Sequence, residues 1–403
     1  MPQATPPPRP LIVRFGAMGD MVMMTTLVRA LATRFGSPVD ILSSGSWTQP
    51  LLAGQPGVGT VYLLSRRKLP YFLSREQQAL AGLLKARGPG PVWYCDTDNR
   101  CLPLLRRAGL GANLVCTAST MPMIDNEHLV DYWQRFARRS PSADTSDTSN
   151  TIGSIDSIDG MVDAEPALVV PQAEQNLLTQ WLGARGLAGR PLLLVQVGNK
   201  RTMRRGLRRR PSNTKWWPEA NWAPVIHAMS RQHPEAAILM LGVPQEHGLN
   251  EEILALSAIS NGVNLAGELP IPRLLALQSR ACAMISVDTG PAHSAAAVGC
   301  PVVVLFGVAD PARITPRGAD AAVRHLVGRI DGAQSILGIT VDQVQAAWEE
   351  LPRRTNASAD SISADSISAD PAAADPASAD PVSADTLPAT QHLLGQARRG
   401  AGA

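Results

Sequence analysis

Ala283-Met-Ile-Ser-Val-Asp-Thr-Gly290-Pro-Ala-His293-Ser-Ala-Ala-Ala-Val-Gly299-Cys-Pro301-Val-Val-Val-Leu-Phe306 is the stretch that decides the fold. An apolar run ends at Asp288, and Thr289 with Gly290 makes a turn. Pro291 suits a first helical position, and small residues through Ala297 let a helix pack closely. After Gly299 and Pro301 comes a second apolar run, Val302 to Phe306. Short continuous apolar runs on either side of a helix read as parallel strands buried on both faces.

Working outward, the same alternation fills most of the 403 residues. Apolar runs occur at 11–15, 39–42, 61–64 and 92–95, then at 192–197, 237–241 and 263–265. Helix-like segments fall at 21–35, 218–232, 246–260, 271–281 and 291–299. The pattern occurs twice, on either side of residues 140–165. The economical fold class is therefore α/β, with two facing Rossmann-like, doubly wound domains and a cleft between them. The expected order is a flexible N-terminus (1–10), a first domain (11–139), a low-complexity insert (140–165), a second domain (166–354) and an acidic repeat tail (355–403). Asp360, Asp365, Asp370, Asp375, Asp380 and Asp385 mark the tail's five-residue period. Small polar residues, prolines and regular acids bury too little apolar surface to offset chain entropy, so the insert and tail read as disordered.

The net charge of +3 is a sum over unlike parts. The insert contributes −6 and the tail −4, which leaves +13 on the rest. A basic body implies anionic partners: phosphates, nucleic acid or anionic lipid. There is no run of 18 apolar residues, and the proline-rich start lacks the apolar stretch of a signal peptide, so the expected address is cytoplasmic. The five cysteines are odd in number and lack Cys-x-x-Cys spacing, which favours reduced thiols in the core over disulfides or zinc.

Three segments carry candidate chemistry. Phe15-Gly16-Ala-Met-Gly19-Asp20 follows the first strand, where glycines permit a tight turn and close approach of a ligand. Asp20 reads either as a helix cap or as an acid pointing into the crevice where open α/β sheets bind ligands. In the second segment, Thr289 and the free amides of the following helix form an anion site suited to a diphosphate. Asp288 there can accept hydrogen bonds from sugar hydroxyls or cap the turn, and His293 is either a ligand or a packed helix residue. The third is a basic run with eight cations and no acid between Lys200 and Lys215, including Arg204 and Arg205. No aromatic interleaves its arginines, which disfavours nucleic acid. Lys215, before a helix start at Pro218-Glu219, is the best single diphosphate ligand. The arginines suit a phosphorylated acceptor or anionic lipid.

With those pieces in order, the chain resembles the glycosyltransferase family 9 heptosyltransferases, the ADP-heptose:lipopolysaccharide heptosyltransferases of Gram-negative bacteria. The carrying residues are Arg14-Phe-Gly-Ala-Met-Gly-Asp20, Lys215-Trp-Trp-Pro-Glu219, Val287-Asp-Thr-Gly-Pro-Ala-His293 with Gly299-Cys-Pro301, Phe306-Gly307 and Asp310-Pro311. Thr26 stands where the family usually has proline, and the Lys200–Ser212 loop is longer and more basic than the pattern. The resemblance implies a GT-B fold, with acceptor on the N-terminal domain and nucleotide-sugar on the C-terminal one. It implies an inverting, metal-independent transfer from ADP-heptose or a related donor to a lipopolysaccharide core or other glycolipid, with no cofactor. By position, Asp20 is the general base. Thr214, Lys215, Thr289 and Gly290 hold the diphosphate, Asp288 contacts the donor sugar, and Glu246 contacts the ribose. His293 joins the donor set, while Arg14, Gly16, Gly19, Arg204 and Arg205 are weaker candidates for acceptor or phosphate. A basic face suits peripheral contact with the cytosolic side of the inner membrane. Competing readings are a nucleotide-sugar epimerase, a dinucleotide oxidoreductase (which needs Gly-x-Gly-x-x-Gly) and a non-enzymatic nucleotide-sugar or polyanion binder.

Overall fold

Strand β1 (Leu11–Val13) is fully buried, and its neighbours on both sides run parallel to it. The computed structural model describes residues 9–139, 164–204, 207–208 and 212–355. The first sheet adds β2 (Val39–Ser43), β3 (Val58–Leu63), β4 (Val92–Tyr94) and β5 (Leu114–Thr117), in the order β3-β2-β1-β4-β5. In the second half, β6 (Leu192–Gln196) is followed by a short antiparallel hairpin, β7 (Met203–Arg204) with β8 (Leu207–Arg208). Then come β9 (Ala237–Met240), β10 (Gly262–Asn264), β11 (Ala283–Val287), β12 (Val302–Phe306) and β13 (Val323–Val327). They build a six-stranded parallel sheet with β6 near its middle, ordered β10-β9-β6-β11-β12-β13.

Both sheets are doubly wound, as the alternation predicts. The chain leaves β1 toward β2 and β3, then reverses to β4 and β5; it leaves β6 toward β9 and β10, then reverses to β11, β12 and β13. Each reversal opens a crevice at the carboxyl ends of two adjacent strands, the usual ligand position in open α/β sheets. Those strand ends carry Arg14 and Asp96 in the first sheet, and Gly198 and Asp288 in the second.

Several details differ from the sequence expectation. The segment read as one helix over 21–35 is two, Met18–Met23 and Thr25–Phe35. Strands β5 and β13 lie at sheet edges and are only partly buried, so their apolar signal is weak. Of the expected flexible segments, residues 1–8, 140–163 and 356–403 lie outside the described residues, as does Arg205. Cys95, Cys101, Cys282 and Cys300 are buried, Cys116 is partly so, and all five are free thiols. No helix of the described residues is long and apolar enough to cross a membrane.

The two halves share apolar packing. One continuous cluster joins Ile12, Met21, Met24 and Trp93 of the first half to Ala292, Ala295 and Val304 of the second. At the edge of this contact, Arg317 pairs with Asp131 at 2.6 Å. Buried His128 caps the helix Leu129–Ala137 by accepting the Val130 N–H on Nδ1, so its Nε2–H donates to the Thr315 carbonyl at 2.9 Å. Accepting the Val130 N–H needs the neutral ring, because a protonated Nδ1 has no lone pair to offer. Burial first, and the nearby Arg317 second, push His128 down to about 4. The unfolded chain takes up a proton near 6.5 and the native chain does not, so stability held above 6.5 falls as pH drops toward 4. Unfolding free energies from urea titrations between pH 7 and 5 should fall by on the order of 1 kcal/mol from this group, screening included. In His128→Asn, which keeps a capping oxygen, that part of the slope should disappear.

Candidate active site

The glycines after β1 serve a contact within the protein. Neither Gly16 nor Gly19 has positive φ. A Cβ at Gly19 would stand 2.5 Å from the His293 ring, and one at Gly290 would stand 2.7 Å from Met18. The helix Met18–Met23 and the helix Gly290–Ala297 therefore meet at close range, one from each half. The expectation of a ligand over Gly19 is corrected: the His293 imidazole occupies that space. Gly16 likewise makes room for Asp20, whose Cβ would be 2.8 Å from a side chain there.

Asp20 is the third residue of its helix. Its Oδ2 accepts the Ala17 N–H at 2.8 Å, so Asp20 caps the helix start from the third position, and Ala17, not Asp20, is the N-cap residue. The carboxylate also stays partly open to solvent, with the Arg14 guanidinium 3.6 Å away. Arg14 is fixed from behind. It donates to the Cys95 carbonyl at 2.8 Å and to Asp96 at 3.2 Å, and lies over the Trp133 ring. Asp96 also accepts the Phe15 N–H at 2.9 Å, and burial, opposed by Arg14, leaves its carboxyl above the usual range. The sequence reading missed Asp96; the available signal was an acid two residues beyond a buried strand.

On the facing half, Asp288 follows β11 and is only 3% exposed. Its Oδ2 meets Lys215 Nζ at 2.5 Å, its carbonyl accepts the same ammonium at 2.9 Å, and His293 Nε2 lies 3.7 Å from Oδ1. Burial by itself would raise the Asp288 pKa. His293 and the Lys215 charge outweigh it and hold the carboxyl below the usual range. Thr289 precedes the helix Gly290–Ala297 without capping it by side chain, and its hydroxyl lies 3.2 Å from that of Ser286. Pro291 carries no N–H and the Ala292 and His293 amides bond the Thr289 carbonyl, so the Gly290 amide is the one at this helix start left without a side-chain cap, a setting that suits an anion. Thr214 is exposed, and its backbone carbonyl lies against Gly307, where any side chain would collide with it. The Phe306-Gly307 element therefore seats the Thr214-Lys215 loop.

Glu246 is 2% exposed, at the end of a short turn beyond β9. Its Oε2 accepts the Val243 N–H at 3.1 Å, while buried Oε1 has no partner. Burial pushes its carboxyl above the ordinary range, against the pull of the Val243 amide and of the Thr202 and Gln196 side chains, which stand nearby without completing a hydrogen bond to Oε1. Gly198 is the only residue type that fits beside it, because a Cβ there would overlap the carboxylate. Arg204 ends β7 in the basic hairpin.

The structure thus brings together Asp20, Arg14, Gly16 and Gly19 from one half with His293, Asp288, Lys215, Thr289 and Gly290 from the other. The link is a line of direct contacts: Gly19 on His293, His293 beside Asp288, Asp288 on Lys215. Glu246 stands apart on the β9 side, walled by Gly198 and Gly242.

A family model described as glycosyltransferase family 9 (heptosyltransferase) matches residues 207–329, a span containing every donor-side residue named above. Lipopolysaccharide heptosyltransferase 2 of Escherichia coli K12 is 28% identical over 361 residues, covering 83% of this chain and 95% of that protein. Its Salmonella typhimurium namesake is 21% identical over 334 residues, covering 79% and 88%. Among solved structures, the family 9 glycosyltransferase of Veillonella parvula superposes with a TM-score of 0.65 at 16% identity, covering 85% of this chain and 96% of that one. The E. coli ADP-heptose lipopolysaccharide heptosyltransferase II gives 0.60 at 18% identity, with 89% and 100% covered. Both have this fold of two facing Rossmann-like domains. Over residues 207–329 the chain is similar to glycosyltransferase family 9, and along most of its length to lipopolysaccharide heptosyltransferases.

Proposed function

We propose that the protein is an inverting, metal-independent heptosyltransferase that moves a heptose, or a closely similar sugar, from an ADP-sugar to a lipopolysaccharide core acceptor. The observation that carries this reading is the contact line from the Gly19–Asp20 turn through His293 and Asp288 to Lys215. It sets a carboxylate and a cation on opposite sides of one junction. In the proposed step, Asp20 takes the proton from an acceptor hydroxyl. That oxygen attacks the anomeric carbon as the bond to the ADP oxygen breaks, and ADP leaves with the electron pair. A base within hydrogen-bond reach is what an attacking hydroxyl needs. Charge growing on the leaving diphosphate meets Lys215 and the uncapped Gly290 amide beside Thr289, which stabilise it electrostatically.

The remaining donor contacts follow from what is unsatisfied. Glu246 Oε1, buried and without a partner, suits a ribose hydroxyl. Asp288, once Lys215 turns toward phosphate, is free to accept from a sugar hydroxyl. Thr214 flanks the same loop. No cofactor enters the step, and the acceptor is taken to approach from the Arg14 side, at the cytosolic face of the inner membrane. The test is incubation with ADP-heptose and a panel of truncated lipopolysaccharides, following ADP release and product mass. Acceptor-dependent ADP release, with product heavier by one heptosyl unit and inverted at the anomeric carbon, is expected. No release with any acceptor, or donor turnover without one, would overturn the reading.

A further inference from the structure

The segment Ser65-Arg66-Arg67-Lys68-Leu69-Pro70-Tyr71-Phe72-Leu73 follows β3 and is absorbed by neither the fold nor the transfer chemistry. Phe72 is 75% exposed, Leu73 64% and Leu69 40%. Such residues are usually buried, so three in five positions on one surface loop need a reason. From Ser65 to Arg75 there are four cations and no acid.

The exposure is built in. Glu76 accepts the Ser65 and Arg66 amides at 2.7 and 3.0 Å, and Gln77 donates to the Arg66 and Leu69 carbonyls at 3.0 and 2.8 Å. Arg107 lies over the Tyr71 ring, which turns Tyr71 inward and leaves Phe72 and Leu73 outward. A loop tied at both ends, with its apolar tips held outside, is prepared to meet an apolar phase. The cations beside those tips fix its sign.

We infer that this loop is a membrane-docking surface, with Phe72 and Leu73 entering the headgroup–acyl boundary of an anionic bilayer while Arg66 and Lys68 meet lipid phosphates. Its position fits a lipid-borne acceptor: Arg67 lies 4.2 Å over the Phe15 ring, and Phe15 directly precedes the Gly16–Asp20 turn. The inference deepens the proposed function by locating the face that meets the membrane. Binding itself is measurable without any sugar.

The test is flotation of the full chain with vesicles of phosphatidylcholine alone or with about one-third phosphatidylglycerol, at low and high salt. Run beside it are Phe72→Ser/Leu73→Ser and Arg66→Glu/Lys68→Glu. The wild type should float with the anionic vesicles and be released by salt. Each double variant should bind at least tenfold more weakly, and the serine pair should keep full transfer to a deacylated, water-soluble acceptor. Equal binding by wild type and serine pair, or no wild-type flotation on anionic vesicles, overturns the docking surface. Loss of binding by the glutamate pair alone also overturns it, because it would mark a phosphate site and not an inserted face. Failure of flotation with normal ADP release would reject this inference while leaving the proposed function standing.

Discussion

An Asp20→Asn variant loses sugar transfer by about 10²–10⁴-fold, the usual contribution of a positioned general base, while its affinity for the ADP-sugar stays within about twofold. The substitution isolates the chemistry because Asp20 has two tasks. As a cap it accepts the Ala17 amide at 2.8 Å, a bond worth about 1 kcal/mol that an Asn oxygen can keep. In the proposed transfer it must accept a proton, which an amide cannot do. Asp20→Ala removes both tasks and should add a small loss in thermal midpoint to the same loss in rate. Single-turnover transfer beside donor binding by calorimetry separates them. Equal turnover by Asp20→Asn and wild type would remove Asp20 from the mechanism.

A Lys215→Met variant raises the KM for donor and lowers kcat together. A hydrogen bond to a charged group is worth about 1.5–3 kcal/mol, which corresponds to roughly 10–100-fold in kcat/KM. A second effect follows from Asp288. With Lys215 gone, a 3%-exposed carboxylate keeps only His293 beside it, so its pKa climbs from the depressed value that the lysine helps to maintain. The acid limb of the pH–rate profile should therefore move to higher pH in Lys215→Met. Lys215→Arg should restore the limb better than it restores the rate, because a fork of donors replaces a point charge without matching its reach. An unshifted limb would falsify the coupling between the two residues.

Much of this was legible in the sequence, and the reasons are local. The run Val302–Phe306 can be little other than a strand buried on both faces, and the turn from Asp288 to Pro291 announces a helix start. Asp288 stands directly after a strand, while Asp20 and Lys215 lie in or just ahead of the first turn of the helix that follows a strand, so their neighbourhood followed from one-dimensional order. What depends on contact between distant segments was not legible. Nothing around Gly19 shows that His293, 274 positions later, fills the space above it. The apparent ligand-approach glycine is instead a packing glycine. Asp96 was hidden for the same reason: its meaning lies in Arg14 and the Phe15 amide, far away in the chain. What Gly198 and Gly307 do appears only once Glu246 and Thr214 are placed beside them.

The bare contact of Gly19 on His293 and Gly290 on Met18 has a mechanical consequence. Each helix seats a side chain, Met18 or His293, over the other's glycine, so the helices lie close and any turning between the halves pivots about that meshed point. The joints that resist such turning, Arg317–Asp131 and His128–Thr315, lie away from that point. The junction is therefore a fulcrum with Asp20 and Lys215 placed close to it. Displacement during a swing grows with distance from the fulcrum. On the proposed function, a swing about this point would part the two halves at their rims for the acceptor while the spacing of Asp20 and Lys215 changes little.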